Sequence, residues 1–194
     1  MRETKRLNIY ALCQCGIFIA LATILSFLPV FEMPMGGSVT LASMLPILLI
    51  GVKFGYKWGL GASTTFMLIQ LLQSIIKGNV FVWCVTVGAV VICVVFDYVV
   101  PFTILGLSAF AKPRKGKAIN VPLVLVTFSV LIFARFLCHF ITGMTIWGQW
   151  DDGFWGAFIY SFTYNGSYMG VELVLTVAVA GLMLSSKQIR KQLT

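Results

Sequence analysis

Long apolar segments, each close to the length that crosses a lipid bilayer, follow one another through most of this 194-residue chain. A helix needs about 20 apolar residues to span the hydrocarbon core of a membrane. Charged residues make up only 10% of the sequence, against about 25% in an ordinary soluble domain, which excludes a soluble globular fold. Runs such as 85–95 and 173–184 are apolar on every side and lack the alternating polarity of a transmembrane β-barrel. The sequence therefore predicts an all-α integral membrane protein.

Hydropathy and helix breakers predict six transmembrane helices, at residues 9–29, 39–54, 58–76, 86–111, 121–144 and 156–184. The second of these is short, and part of the segment 77–87 is expected to form a loop or a re-entrant piece. The first is too long for the apolar region of a signal peptide, so no removable leader is expected. Because the helices leave no room for a soluble domain, residues 1–194 are predicted to form a single membrane-embedded domain.

The basic residues predict the orientation of these helices. Lysine and arginine are enriched in cytoplasmic loops, which places both termini in the cytoplasm. A net charge of +8 is also typical of proteins that bind nucleic acids. Here, however, the basic residues are dispersed over short loops with no groove of stacking aromatic residues, so no nucleic-acid partner is expected. Twelve of the 14 lie on one side of the predicted bundle, namely Arg2, Lys5, Arg6, Lys53, Lys57, Lys112, Arg114, Lys115, Lys117, Lys187, Arg190 and Lys191.

Four ionisable residues fall inside predicted helices, namely Asp97, Arg135, His139 and Glu172. A charge within a bilayer is costly unless it is paired or faces a cavity, so each is a candidate functional residue. The depths of Asp97 and His139 match those of Tyr160 and Asn165, which predicts one outward-opening cavity with Arg135 beneath it. Opposite charges in lipid usually pair, so Arg135 and Glu172 are interpreted as structural partners of Asp97 or of each other.

Aromatic residues crowd the same region. Trp150 and Trp155 are typical of the aromatic belt at a membrane interface. A belt does not explain Tyr98, which is adjacent to Asp97 within a helix. A carboxylate among electron-rich rings suits a flat organic cation, through charge neutralisation and cation–π contact, and Asn and Tyr side chains add directional hydrogen bonds. The rings in this part of the sequence are Tyr98, Trp147, Trp150, Trp155, Tyr160 and Tyr164.

Catalytic and metal-binding patterns are missing from the sequence. It contains no GxxxxGK[ST] phosphate loop, no HExxH motif and no Cys or His residues at metal-ligand spacing. Cys138 precedes His139, but adjacent residues on a helix point about 100° apart, which argues against a nucleophile and its base. We therefore expect no enzyme activity, no metal and no cofactor, and any ATP hydrolysis would have to come from another chain.

Gly16 and Ala20, in the first predicted helix, have the small-xxx-small spacing that lets two helices approach closely. This spacing is compatible with packing inside the bundle or with contact to a membrane partner. Spacing alone favours packing inside the bundle.

Four segments of the sequence resemble the thiamine-specific substrate-binding component of the energy-coupling factor (ECF) vitamin transporters. They are residues 33–38 (MPMGGS), 96–106 (FDYVVPFTILG), 134–148 (ARFLCHFITGMTIWG) and 159–166 (IYSFTYNG). The resemblance spans nearly the whole chain. It implies a six-helix protein of the cell membrane that binds thiamine from outside, and whose partners are a membrane coupling subunit and two cytoplasmic ATPase subunits.

The resemblance also implies roles for individual residues in the binding cavity. His139 and Trp147 match ring-contacting positions, and Tyr160 and Asn165 match hydrogen-bonding positions. Tyr98 matches an aromatic residue of the pocket. These matches predict a pocket that encloses the ligand between rings and holds its polar edges.

The remaining correspondences concern the charged residue of the pocket, a glycine beside the ligand and a surface for a partner. Asp97 stands where some members have glutamate, and Gly143 matches a position at which the ligand lies close to the backbone. Gly16 and Ala20 match a pair that contacts the coupling subunit. The chain departs from some members, which have tryptophan at the positions of three residues, Gly37, Phe66 and Asp152, so part of the aromatic lid differs.

Three other functions remain open from the residues. A component for another vitamin, such as riboflavin, or for a thiamine precursor would share the same architecture. A stand-alone ion-coupled carrier would work without ATPase partners. An integral membrane enzyme that uses Asp97, Arg135 and His139 would need a nucleophile or a metal set, which the sequence does not supply.

Overall fold

The computed structural model of the chain describes residues 2–33, 37–78, 84–148 and 153–194, with side chains from residue 9 onwards. Within these ranges a two-stranded antiparallel hairpin, β1 (Pro29–Glu32) and β2 (Ser38–Thr40), follows the first helix. The main helices are α1 (Arg2–Ser26), α2 (Leu45–Phe54), α3 (Tyr56–Ile76), α4 (Val87–Ala111), α5 (Val121–Trp147) and α6 (Gly153–Ser185), and a short α7 (Lys187–Gln192) comes after them.

Five helices, α1 and α3–α6, are long and apolar enough to cross a membrane. Their outer surfaces carry large apolar side chains, and on α1 the side chains of Ile9, Leu12 and Ile17 are each more than half exposed. A soluble monomer rarely exposes apolar surface of this extent, whereas lipid tails solvate it. The predicted all-helical membrane architecture is confirmed, with five candidate spans and one shorter apolar helix.

The short helix α2 forms the centre of the bundle. Its residues Leu45–Val52 are all buried, and it packs against α1, α3 and α4. Ten residues extend only about 15 Å, half the thickness of a bilayer core. The predicted start of this helix at residue 39 is wrong, because Ser38–Thr40 pair with β1 and Ala42 has a positive φ of 55°. Pro46, which is favoured in a first helical turn, stands near the actual start.

The helix α4 changes its winding along its length. It is α-helical over Val87–Cys93, π-helical over Val94–Val99, α-helical again over Val100–Thr103 and 3-10 helical over Ile104–Ala111. Pro101 gives a physical reason for the π segment, because proline cannot donate a backbone hydrogen bond and its ring clashes with the carbonyl four residues earlier, at Asp97. The N–H of Val100 accordingly donates to the carbonyl of Val95, five residues back. This widening places Asp97 inside a π-helix.

The boundaries of the other predicted helices lie within a few residues of the observed ones, apart from the N-terminal end of α1. Part of the segment 77–87, residues 79–83, lies outside the described residues. Cys84 and Val85 belong to no helix or strand, in keeping with the predicted loop.

Glycines let α2, α3 and α4 approach one another at backbone distance. A Cβ added to Gly106 of α4 would lie 2.7 Å from backbone atoms of Gly59 and Leu60 in α3. A Cβ on Gly59 would lie 2.7 Å from the carbonyl oxygen of Gly106 and 2.9 Å from the Cα of Gly51 in α2. Such small-residue contacts stabilise helix association in membranes. These contacts hold α2, α3 and α4 together.

We expect Gly106→Ala to destabilise the protein by about 1–3 kcal/mol, because the added methyl group meets backbone that cannot move aside. The measurement is the thermal unfolding midpoint of the purified protein in detergent. Gly61→Ala is the matched control, since nothing lies within 4 Å of its added Cβ on α3. Equal midpoints for the two variants would contradict the close helix contact.

Candidate functional site

A cavity of about 490 Å³ is lined by residues of the β-hairpin and of α3, α4, α5 and α6. The two π-helical segments of the bundle, Val94–Val99 and Gly143–Trp147, both contribute to its wall. Segments of π-helix occur frequently at functional sites. Nine of the charged, aromatic and amide residues singled out from the sequence line this cavity, namely Asp97, Tyr98, Arg135, His139, Trp147, Tyr160, Tyr164, Asn165 and Glu172.

Three side chains of α5 surround the carboxylate of Asp97. Thr142 Oγ1 donates to Oδ1 over 2.5 Å, and His139 Nδ1 lies 2.8 Å from the same oxygen. Trp147 Nε1 donates to Oδ2 over 3.4 Å. The side chain of Asp97 is 13% exposed, so these donors replace most of its hydration. Oδ2, which has a single long hydrogen bond, is the oxygen better placed to receive a further donor or a positive charge.

The contacts of His139 fix the position of its proton. Arg135 Nε donates to His139 Nε2 over 3.2 Å. Because a guanidinium can only donate, Nε2 is the acceptor and Nδ1 carries the proton. Nδ1–H therefore donates to Asp97, and His139 is a neutral link in a chain that runs from Arg135 to Asp97.

Arg135 is held by contacts other than a carboxylate. Its Nη1 donates to Met44 Sδ over 2.8 Å, and its guanidinium carbon lies 4.1 Å from the ring centroid of Phe102, in cation–π geometry. In the described part of the chain, the pair of opposite charges within 4.0 Å is Lys77–Glu32, while Asp97 contacts the neutral His139. No carboxylate of the described residues lies within 4.0 Å of the Arg135 guanidinium, which is surrounded by histidine, sulfur and an aromatic face and reaches Asp97 through His139.

Glu172 belongs to a polar contact between α6 and the β-hairpin. Its Oε1 accepts hydrogen bonds from the backbone N–H and the hydroxyl of Thr40, the latter over 2.6 Å. Glu172 also lines the cavity. The sequence identified this residue as a buried charge, but its partner lies 132 positions away and was not predicted.

The face of α6 that looks into the bundle carries a ladder of polar side chains. Asn165 Nδ2 donates to the carbonyl and the hydroxyl of Ser161, over 3.0 and 3.2 Å. The hydroxyl of Tyr168 donates to Asn165 Oδ1 over 3.0 Å. Tyr160 and Tyr164 stack with ring centroids 5.4 Å apart, and both line the cavity. This face offers amide and phenol groups together with flat rings.

The pocket aromatic Tyr98 points across to α3, where its hydroxyl donates to Ser74 Oγ over 2.5 Å. Its ring stacks on Phe102 at a centroid distance of 6.4 Å. Phe66, one of the positions at which some members of the ECF family have tryptophan, is fully buried in the core against Phe102 and does not line the cavity. Gly37, another such position, lines the cavity, and a Cβ there would lie 2.8 Å from the ring of Tyr168. Tyr168 thus fills the space beside Gly37.

Gly143 does not line the cavity in the described structure. A Cβ at this position would clash with the hydroxyl of Ser161 and would lie 2.7 Å from Asn165 Nδ2. Its missing side chain lets α5 approach α6 closely and leaves room for the Asn165 amide. In the structure Gly143 makes room for Asn165, which lines the cavity, and is not itself a part of the wall.

Gly16 and Ala20 lie on an exposed face of α1, and nothing in the described residues lies within 4 Å of a Cβ added at Gly16. Packing inside the bundle, which spacing alone favoured, is therefore wrong for Gly16. Trp155 is 69% exposed, which suits the predicted aromatic belt. Trp150 and Asp152 lie outside the described residues.

Sequence reasoning missed three groups that organise the cavity. Thr142 binds Asp97, Tyr168 binds Asn165 and Ser74 binds Tyr98. Thr142 and Tyr168 each stand three residues beyond a predicted site residue, on the same helical face, and this spacing was the signal that could have found them. Ser74 had no such signal, because serine is common in membrane helices.

The arrangement is built for binding. The described residues contain no group of three or more His, Cys, Asp or Glu side chains that could hold a metal ion. The volume of the cavity falls in the range of about 300–1,000 Å³ that is typical of small-molecule sites. A carboxylate, several aromatic rings and an amide converge on one space, and they can hold a flat cation with polar edges.

Comparisons with known proteins point to one family. The family model described as thiamine transporter protein (Thia_YuaJ) matches residues 12–192. The thiamine transporter ThiT of Bacillus subtilis (strain 168) is 32% identical over 192 residues, which cover 94% of this chain and 93% of the relative. ThiT of Lacticaseibacillus paracasei (strain ATCC 334) is 29% identical over 99 residues, which cover 47% and 49%.

A solved structure of ThiT from Listeria monocytogenes has the same fold, with a TM-score of 0.59 and 21% sequence identity over 94% of this chain and 97% of that one. The family match extends over nearly all of the chain, including every helix of the bundle. The chain therefore belongs to the thiamine transporter protein family, and it is a multi-pass membrane protein of that transporter family and not an enzyme.

Proposed function

We propose that this chain binds thiamine from the extracellular side in the cavity beside Asp97, and delivers it across the membrane as the substrate-specific subunit of an ATP-driven ECF transporter. The observation that carries the proposal is a partly buried carboxylate among aromatic rings, in a cavity of suitable size. Thiamine is a cation with two flat rings joined by a methylene group: the thiazolium ring has a permanent positive charge, and the pyrimidine ring has polar edges. The names of the two ThiT relatives support the same ligand.

In this proposal Asp97 offsets the thiazolium charge through its Oδ2 edge. His139 and Trp147 flank a ring of the ligand, with Tyr98 as a further aromatic wall. Tyr160 and Asn165 hold the polar edges of the ligand. Arg135 and Thr142 do not contact the ligand and instead fix the orientation of His139 and Asp97.

The proposed topology is a single domain over residues 1–194 with both termini in the cytoplasm, as the positive-inside rule indicates. The cavity then opens to the outside. Because the sequence contains no phosphate loop, the energy would come from two cytoplasmic ATPases through a membrane coupling subunit. The exposed small residues Gly16 and Ala20 are the proposed contact with that subunit.

The direct test is isothermal titration calorimetry of the purified protein with thiamine, supported by quenching of tryptophan fluorescence. We expect saturable binding at micromolar thiamine or below, with fluorescence quenching because Trp147 is part of the cavity wall. Riboflavin is the competitor that represents the other vitamins. Absence of binding at micromolar thiamine would reject the assignment, and displacement by riboflavin would point to the related component for a different vitamin.

Asp97→Asn should weaken thiamine binding by about 10- to 100-fold, or about 1.4–2.8 kcal/mol, because it removes the charge and keeps the shape of the side chain. The same substitution should reduce the affinity much less for an analogue that has a neutral thiophene ring in place of the thiazolium. Both affinities are measured by calorimetry on the variant and on the original chain. Equal losses for the two ligands would mean that Asp97 acts only as a hydrogen-bond acceptor.

Gly16→Trp and Ala20→Trp should abolish co-purification with the coupling subunit and the ATPases, because a large ring blocks close helix approach. Thiamine binding by the isolated chain should remain, since the face that they occupy on α1 is exposed. Leu21→Trp is the control, as it is also exposed on α1 and lies about 100° further round the helix than Ala20. Intact assembly in the two small-residue variants would place the partner elsewhere.

A further inference from the structure

Among the described residues, Glu172 has hydrogen-bond partners for one of its two carboxylate oxygens. Oε1 accepts two hydrogen bonds from Thr40, and Ser43 N–H in turn donates to the Thr40 hydroxyl over 3.2 Å. Oε2 has no hydrogen-bond partner in the described residues, although Glu172 is only 3% exposed. Buried polar atoms are nearly always paired, so an atom in a cavity wall that has no partner among the described residues is a candidate to accept a hydrogen bond from a ligand.

The other charged groups in the described wall of the cavity cancel in pairs. Glu32 and Lys77 form an ion pair of 2.7 Å in which both side chains are about half exposed. Arg135 is permanently protonated and balances Asp97, while His139 is neutral by its hydrogen bonds. Glu172 is therefore the group that determines whether the cavity carries a net negative charge.

Burial favours the neutral form of Glu172, and its hydrogen bonds oppose this effect by favouring the ionised form. Oε1 accepts from both an N–H and an O–H group, as a carboxylate does, and Arg135 places a positive charge in the same wall. An ionised Glu172 gives the cavity one net negative charge, which complements a ligand with one positive charge.

We propose that Glu172 is a second substrate-selecting carboxylate, which makes the cavity negative and offers Oε2 to a hydrogen-bond donor of the ligand. This inference rests on the proposed function and adds a substrate class to it. Ligands with one net positive charge and a free hydroxyl or amino group are selected, and phosphate esters of the same molecule are rejected by repulsion from Glu172.

The position of Glu172 along α6 fits this role. It follows Asn165 by seven residues, which is about 10 Å along the helix axis. Tyr168, which donates to Asn165, occupies the wall between them. Asn165 and Glu172 therefore face different parts of an elongated ligand, so that each can recognise a separate polar group.

The test compares thiamine with thiamine monophosphate in calorimetric titrations of the full chain and of Glu172→Gln. The substitution keeps an oxygen for Thr40 and removes the charge. We expect the original chain to prefer thiamine, and the ratio of the two dissociation constants to fall by about tenfold or more in E172Q. The double variant Glu32→Gln with Lys77→Gln is the matched control, since it removes an exposed ion pair from the same wall without changing the net charge, and its ratio should stay within about twofold of the original.

Glu172→Asp separates charge from contact. It should keep the preference against the phosphate ester and weaken thiamine binding, because the shorter side chain draws the carboxylate away from the cavity. If E172Q cannot be isolated as a folded protein, the titrations of E172D test the proposal in its place. An unchanged affinity of E172D for thiamine would overturn the proposed contact between Glu172 and the ligand.

Thiamine binding with an unchanged ratio in E172Q would overturn the selecting role and leave the proposed function intact. Failure of the original chain to bind thiamine would instead overturn the proposed function itself. The two failures are therefore distinguishable in the same set of titrations.

Discussion

A carboxylate within a membrane-spanning helix is stable only if the protein replaces the water that it loses, and the organisation of this bundle follows from how Asp97 meets that condition. In the described part of the chain, α5 contributes the donors His139, Thr142 and Trp147 to this carboxylate. Arg135, on the same helix, orients His139. The contact between α4 and α5 is thus both a structural joint and the polar side of a cavity, so substitutions there should affect stability and binding together.

Irregular backbone makes this joint possible. Pro101 disturbs the winding of α4 next to Asp97, and α5 ends in a second π-helical segment that carries Trp147. The buried α2, too short to cross a bilayer, leaves the space on one side to the β-hairpin, whose Thr40 reaches Glu172 of α6. Glycine contacts between α2, α3 and α4 hold the opposite part of the bundle. The cavity therefore lies where the helices depart from regular geometry, and the regular, tightly packed part supports it.

Hydropathy predicts most of this fold because lipid imposes one strong rule, that a spanning helix must be apolar and about 20 residues long. The same rule makes the buried charges conspicuous, which is why Asp97 and His139 could be singled out from the sequence. It gives no information on a short helix surrounded by protein, so the start of α2 was misplaced. The β-hairpin was also missed, because its two strands are very short.

Partners of the charged groups were harder to predict than the groups themselves. Opposite charge suggested that Arg135 would pair with a carboxylate, yet its nearest groups are a histidine, a thioether and an aromatic face. Such contacts depend on side-chain geometry across helices that are distant in sequence. The glycine at position 143 illustrates the same limit, since its role depends on Ser161 and Asn165 of the neighbouring helix.

The central claim is that one cavity holds a thiazolium beside Asp97, and a structure of the chain in complex with thiamine tests it most directly. The account predicts ligand density within the cavity, with the thiazolium next to Asp97 Oδ2 and a ring in contact with His139 and Trp147. The pyrimidine edge should lie within hydrogen-bond distance of Asn165. Thiamine bound outside this cavity, or bound with its thiazolium turned away from Asp97, would contradict the account.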